Sequence, residues 1–119
     1  MYISESDKAM IRQLIEKQLQ AFKQNDIETA FSLTSPIMQQ KLTCQDFMAI
    51  LNEKYDCLVK PRSFIFRGFT SIHNYPALVS TIMDRQGNLA QGIFVMQHQP
   101  DYTWRIHGYE LVPLNEKII

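Results

Sequence analysis

The sequence predicts an α+β fold, with N-terminal helices packed on a curled four-stranded antiparallel sheet. Apolar residues recur at helical spacing through residues 5–55. From residue 62 to about 113 the pattern changes to alternation rich in aromatic and β-branched side chains. The change falls at Pro61, which disfavours helix in the residue before it. Residues 1–119 are read as one domain, long enough for a core without disulfide staples.

Ser4 or Ser6 can cap a first helix, with Asp7 where negative charge suits the helix dipole. Ile11, Leu14, Ile15, Leu19 and Phe22 form its apolar stripe, and Arg12, Glu16, Lys17, Gln20 and Lys23 its wet side. Asn25-Asp26 ends this helix and caps a short second one carrying Ile27, Ala30 and Phe31. Ser35-Pro36 stops it and starts a third, Ile37 to Leu42, because proline is tolerated in a first helical turn. Thr43 and Asp46 form a capping box for a fourth, with Phe47, Ile50 and Leu51 on its inner side, fading near Tyr55. Asp56 to Arg62 reads as a connector.

Arg62 to Tyr75 alternates as a long strand, and Gly68 marks a bulge that lets Phe66 and Phe69 share a face. Asn74-Tyr75-Pro76 is the turn into a strand over Ala77 to Arg85. Gln86-Gly87-Asn88 supplies a tight hairpin into Leu89 to Gln99. After Gln99 to Thr103 comes the closing strand, Trp104 to Pro113. By parity, one of its faces carries Trp104, Ile106, Gly108, Glu110 and Val112, the other Arg105, His107, Tyr109 and Leu111. The first set is expected to face inward.

Both parities of the middle strands are apolar: Leu78 and Ile82 oppose Val79 and Met83, and Phe94 and Met96 oppose Ile93 and Val95. An antiparallel sheet with one wet face does not read so. One face belongs to the helices, and the expected cover for the other is a second copy of the chain, since two-fold dimers are the commonest assembly. Ile93, Val95, His107 and Tyr109 are the interface candidates.

Composition excludes several classes. The hydrophobic fraction of 45% and charged fraction of 20% are those of an ordinary globular protein. Twelve Lys and Arg balance twelve Asp and Glu without a basic run, which argues against nucleic-acid binding. The start, Met1 to Asp7, lacks the pattern of a secretory signal, and no apolar run spans a membrane, so a cytoplasmic location is expected. Cys44 and Cys57 lie outside any CxxC spacing and are expected as reduced, inert thiols rather than a disulfide.

Ala30-Phe31, Ser35-Pro36 with Gln39, Phe47, Tyr55, Pro61-Arg62-Ser63, Trp104-Arg105-Ile106 with Gly108, and Leu111-Val112-Pro113 together resemble a small bacterial family known only as a domain of unknown function. The order of helices and meander resembles the nuclear transport factor 2-like superfamily, the cystatin-like α+β cone. The likeness runs from about Ile11 to Pro113 and implies the cone fold and often a dimer, but no activity. Two positions depart from the family pattern, Leu42 in place of Phe and Tyr102 in place of a turn Gly. Tyr102 is not expected to take positive φ, so a differently shaped loop is expected there.

In such cones the mouth is where small molecules bind, and Tyr55, Arg62, Trp104 and Glu110 are the ligand-binding candidates. Glu110 among Trp104, Ile106 and Val112 could be a desolvated general base, and its bland alternative is an ion pair with Arg62 or another strand arginine. Arg62 suits bidentate capture of an anion or, equally, tethering of helix to strand. His98 and His107 are expected opposite Arg105 and Met96, and no histidine spacing suggests a metal site. His107 on a dimer face would make assembly sensitive to pH near 6 to 7, since histidine titrates there. The six Met read as core filling, and no nucleophile elbow, HExxH or phosphate loop is present.

The leading expectation is a dimeric cone module that binds a small apolar or weakly anionic ligand, without cofactor or metal. The alternatives are a cofactor-free isomerase, dehydratase or hydrolase with Glu110 as base, and a protein-interaction module working through the sheet face.

Overall fold

The computed structural model describes residues 3–117, with side chains through Leu114; the Met1-Tyr2 start lies outside the described residues. Helix α1 (Glu5–Lys23) begins with a capping box. The Ser4 hydroxyl accepts from Asp7 N–H at 3.0 Å, and the Asp7 carboxylate accepts from Ser4 N–H at 3.3 Å. Asp26 caps α2 (Ile27–Ser32), and Ser35 caps α3 (Pro36–Lys41) with proline in the first turn. The Thr43–Asp46 box opens α4 (Cys44–Lys54). The expected connector after Tyr55 instead contains α5 (Asp56–Val59), a single turn that buries Leu58 and Val59. Four residues are too few for helical periodicity to register.

Strands β1 (Ser63–Ile72), β2 (Tyr75–Met83), β3 (Asn88–His98) and β4 (Trp104–Lys117) form one antiparallel sheet in that order. The β1–β2 register shifts between Phe66 and Gly68, the expected bulge, and brings the Phe66 and Phe69 rings to 5.5 Å. The first hairpin turns on His73-Asn74, both at positive φ, one residue earlier than the proline suggests. In the second, Gly87 takes φ +87°, and the Asp84 carboxylate accepts from the N–H groups of Gln86 and Asn88. Tyr102 does adopt positive φ, at 66°, contrary to expectation. The five-residue loop is closed by Gln99 N–H to Thr103 O at 2.8 Å and by Tyr102 N–H to Gln99 O at 2.9 Å. Asp101 further accepts from both Thr103 donors. These bonds together hold Tyr102 in a conformation its side chain disfavours.

The inner face of the sheet packs on the helices through Ile11, Ile15, Leu58, Leu78, Ile82, Phe94, Met96, Trp104 and Ile106. A second cluster, Ala21, Phe22, Ala30, Phe47, Leu51 and Val59, lies among the helices, and Tyr55 and Tyr109 touch both. The link between α2 and α3 docks on the free edge of β4, with Ser35 N–H to Ile106 O at 2.8 Å and Ile106 N–H to Leu33 O at 2.9 Å. Among the described residues no helix is long and apolar enough to cross a membrane.

Candidate functional site

Two of the predicted residues, Glu110 and Tyr109, lie opposite to expectation because β4 changes parity. The β3–β4 register shifts between Val95 and Met96, pairing Val95 with Gly108 and Met96 with Ile106, so His107 is an extra residue. Trp104 and Ile106 therefore face inward as expected, while Tyr109 turns in and Glu110 turns out. Gly108 within an aromatic strand is the sequence signal for this bulge, as Gly68 is in β1.

Tyr109, expected at an interface, is a core residue. Its ring lies 5.6 Å from that of Phe94, 6.0 Å from Tyr55 and 6.4 Å from Phe47. Its hydroxyl donates to Gln18 Oε1 at 2.9 Å, and Gln18 Nε2 donates to the Ala30 carbonyl at 2.9 Å. Burial pushes the phenol above its usual pKa. Gln18 has no exposed surface and is not among the residues expected in the site. Its signal is positional, since Ile11, Ile15, Gln18 and Phe22 fall on one helical stripe.

Glu110, expected inside among apolar neighbours, is exposed on the outer face and makes no ion pair among the described residues. Arg62 is tethered through its backbone, Arg62 N–H to Met83 O at 2.8 Å, with its side chain exposed. Tyr55 closes α4 and packs on Tyr109. Trp104 lies at the opposite end of the sheet, stacked at 4.4 Å on His98 and donating its indole N–H to Asp7 at 3.2 Å. The four ligand-binding candidates thus do not converge. The Asp7 carboxyl is held below its ordinary range by the Ser4 hydroxyl first and the Trp104 indole second. His98 pairs with Trp104 rather than Arg105. His107 Nδ1 lies 2.9 Å from Ser35 Oγ, and its ring is 5.0 Å from Tyr75.

A groove runs between α1 and β1. Two adjoining open hollows along it measure about 400 and 460 Å³, lined by Ile3, Glu5, Lys8, Arg12, Phe66 and Phe69 among others. Arg12 stands 4.2 Å over the Phe66 ring and Lys8 5.8 Å over Phe69. Lys8 also pairs with Glu5 at 3.4 Å.

The other surface is the outer face of the sheet, over which none of the described helices packs. Its strands align in rows: Ile65–Thr81–Gln91–Val112, then Val79–Ile93–Glu110 beside the Gly68 bulge, then Thr70–Ala77–Val95–Gly108. Ile93 and Val95 stay on this face as expected, each 8% exposed among its neighbours. Ile65 and Val112 are 48% and 46% exposed. Arg67 lies on this face too, its Nε donating to Thr81 Oγ1 at 2.9 Å.

Cys44 and Cys57 are unpaired. Burial, then the neighbouring carboxylates of Asp56 and Asp84, push the Cys57 thiol up to about 11, which keeps it protonated and unreactive near neutrality. Among the described residues, no three His, Cys, Asp or Glu side chains gather into a possible metal site. No curated protein and no solved structure matches the chain. A family model does match, over residues 4–119, and the chain belongs to that family, described as Domain of unknown function (DUF4864).

Proposed function

We propose that this protein is a binding module that acts as a homodimer, its two copies packed through the outer faces of their sheets. One observation carries the reading: both faces of the sheet are apolar, and helices cover only one. Burying Ile65, Val112 and the half-buried Val79 against a second copy removes their exposed apolar surface from water at roughly 25 cal/mol per Å². The order of helices followed by a curled meander supports kinship with the nuclear transport factor 2-like cone. Light scattering after gel filtration is expected to give twice the 13.9 kDa chain mass. Ile65→Arg and Val112→Arg, at sites the monomer already exposes, are expected to give monomers with unchanged thermal stability when dilute. A wild-type mass of one chain at micromolar concentration overturns the reading.

The α1–β1 groove favours a second role, the binding of a small and largely apolar ligand with a weak anionic group. Its Phe66 and Phe69 floor suits the apolar part, and Arg12 is the cation best placed for the anion. Medium-chain carboxylates are expected to raise the melting temperature of the wild type but not of Phe69→Ala or Arg12→Gln. Equal shifts in all three sink this assignment.

A further inference from the structure

We infer that the partner on the outer sheet face is a second copy held in one register, in which Arg67 of each subunit faces Glu110 of the other across a two-fold axis parallel to the strands. This rests on the dimer proposed above and adds the geometry and the residues that select it. The centre of the face is apolar and closely packed, with Ala77, Ile93 and Val95 buried among their neighbours and Val79 and Gly108 half-buried. Its long charged side chains stand at the edges, Arg67 on β1 and Glu110 on β4. Both charges flank the same row, since Arg67 sits in the bulge beside Gly68, and Gly68, Val79, Ile93 and Glu110 are successive cross-strand partners.

Face-to-face packing by a two-fold axis allows two simple arrangements. With the axis along the strands, β1 of one copy lies over β4 of the other. Arg67 then meets Glu110 twice, and Ile65 comes to the same end as Val112. With the axis across the strands through the Val79–Ile93 row, each strand lies over itself, setting Glu110 against Glu110 and Arg67 against Arg67. Like charges so juxtaposed are strongly unfavourable, and the charge pattern selects the first arrangement. Edge position also suits the pair, because a sheet curled around α1 separates from its copy toward the edges, where only long side chains bridge the gap. Among the described residues Arg105 also lies on this face, half-buried and turned to the Trp104 carbonyl, its Nη1 donating at 3.1 Å.

Sedimentation equilibrium of the wild type, Arg67→Glu, Glu110→Arg and the double exchange tests the register, with circular dichroism confirming that each folds. Each single change is expected to weaken dimerisation about tenfold or more, and the double exchange to return it to within about threefold of the wild type. A dimeric wild type whose affinity ignores the single changes, or a double exchange no tighter than the singles, overturns the register and leaves the dimer standing. A monomeric wild type removes the dimer and the register together.

Discussion

Tyr109 and Gln18 show how one pair of atoms joins distant parts of the chain. The hydroxyl lets a tyrosine from β4 enter the core, and the glutamine amide passes the connection on to the Ala30 carbonyl. Tyr109→Phe strands the buried Gln18 oxygen, so it is expected to cost about 1–3 kcal/mol in urea unfolding. Adding Gln18→Leu to that variant removes the stranded oxygen but leaves the Ala30 carbonyl with only the Leu33 N–H at 3.4 Å, so recovery is expected to be partial. Asp7 makes a different link, between the start of α1 and Trp104. Its folded-state pKa lies below the usual 3.8, so the stability it contributes is complete above that value and is lost as pH falls through the folded pKa. The melting-temperature gap between wild type and Asp7→Asn is therefore expected to hold steady from neutrality to about pH 5 and to close below 3.8.

Among the elements, the loop from β3 to β4 carries strain that a substitution can relieve. Tyr102 is 78% exposed and sits at φ 66°, where a Cβ costs about 1–2 kcal/mol. Tyr102→Gly is expected to raise stability by up to about 1 kcal/mol, the remainder being offset by the extra freedom of glycine in the unfolded chain. Calorimetry reads this directly. The helix starts at Ser4, Asp26, Ser35 and Thr43 were legible in the sequence because each is a local hydrogen bond between residues three apart. The Gly68 bulge was legible from the glycine that interrupts an aromatic strand. Gly108 offers the same signal beside His107, but the expected alternation runs straight through it, and one inserted residue reverses the parity of the strand, so everything beyond faces opposite to expectation. Glu110 and Tyr109 exchanged places for that reason alone. The turn of α5 escaped because its two buried residues are fixed by tertiary packing rather than by a repeating pattern.

At the scale of the whole molecule, the doubly apolar sheet was legible because β2 and β3 precede the parity change and their alternation was read in the correct sense. The candidate pocket was not, since Tyr55, Arg62, Trp104 and Glu110 were joined by their expected direction, and only the fold assigns direction. The docking of residues 33–35 on β4 has a further consequence. Ser35 and Ile106 are both wholly buried, and their amides bond across the junction between the helical half of the chain and the closing strand. Neither proton can meet solvent without separating the two halves. In native-state hydrogen exchange these amides are expected to open with the free energy of global unfolding, whereas the amide of Arg67, in an edge-strand bulge, exchanges by local fluctuation. Equal protection at the two kinds of site would contradict that division. The junction thus doubles as an internal gauge: two slow protons, 71 residues apart, that report whether the protein unfolds as one cooperative unit.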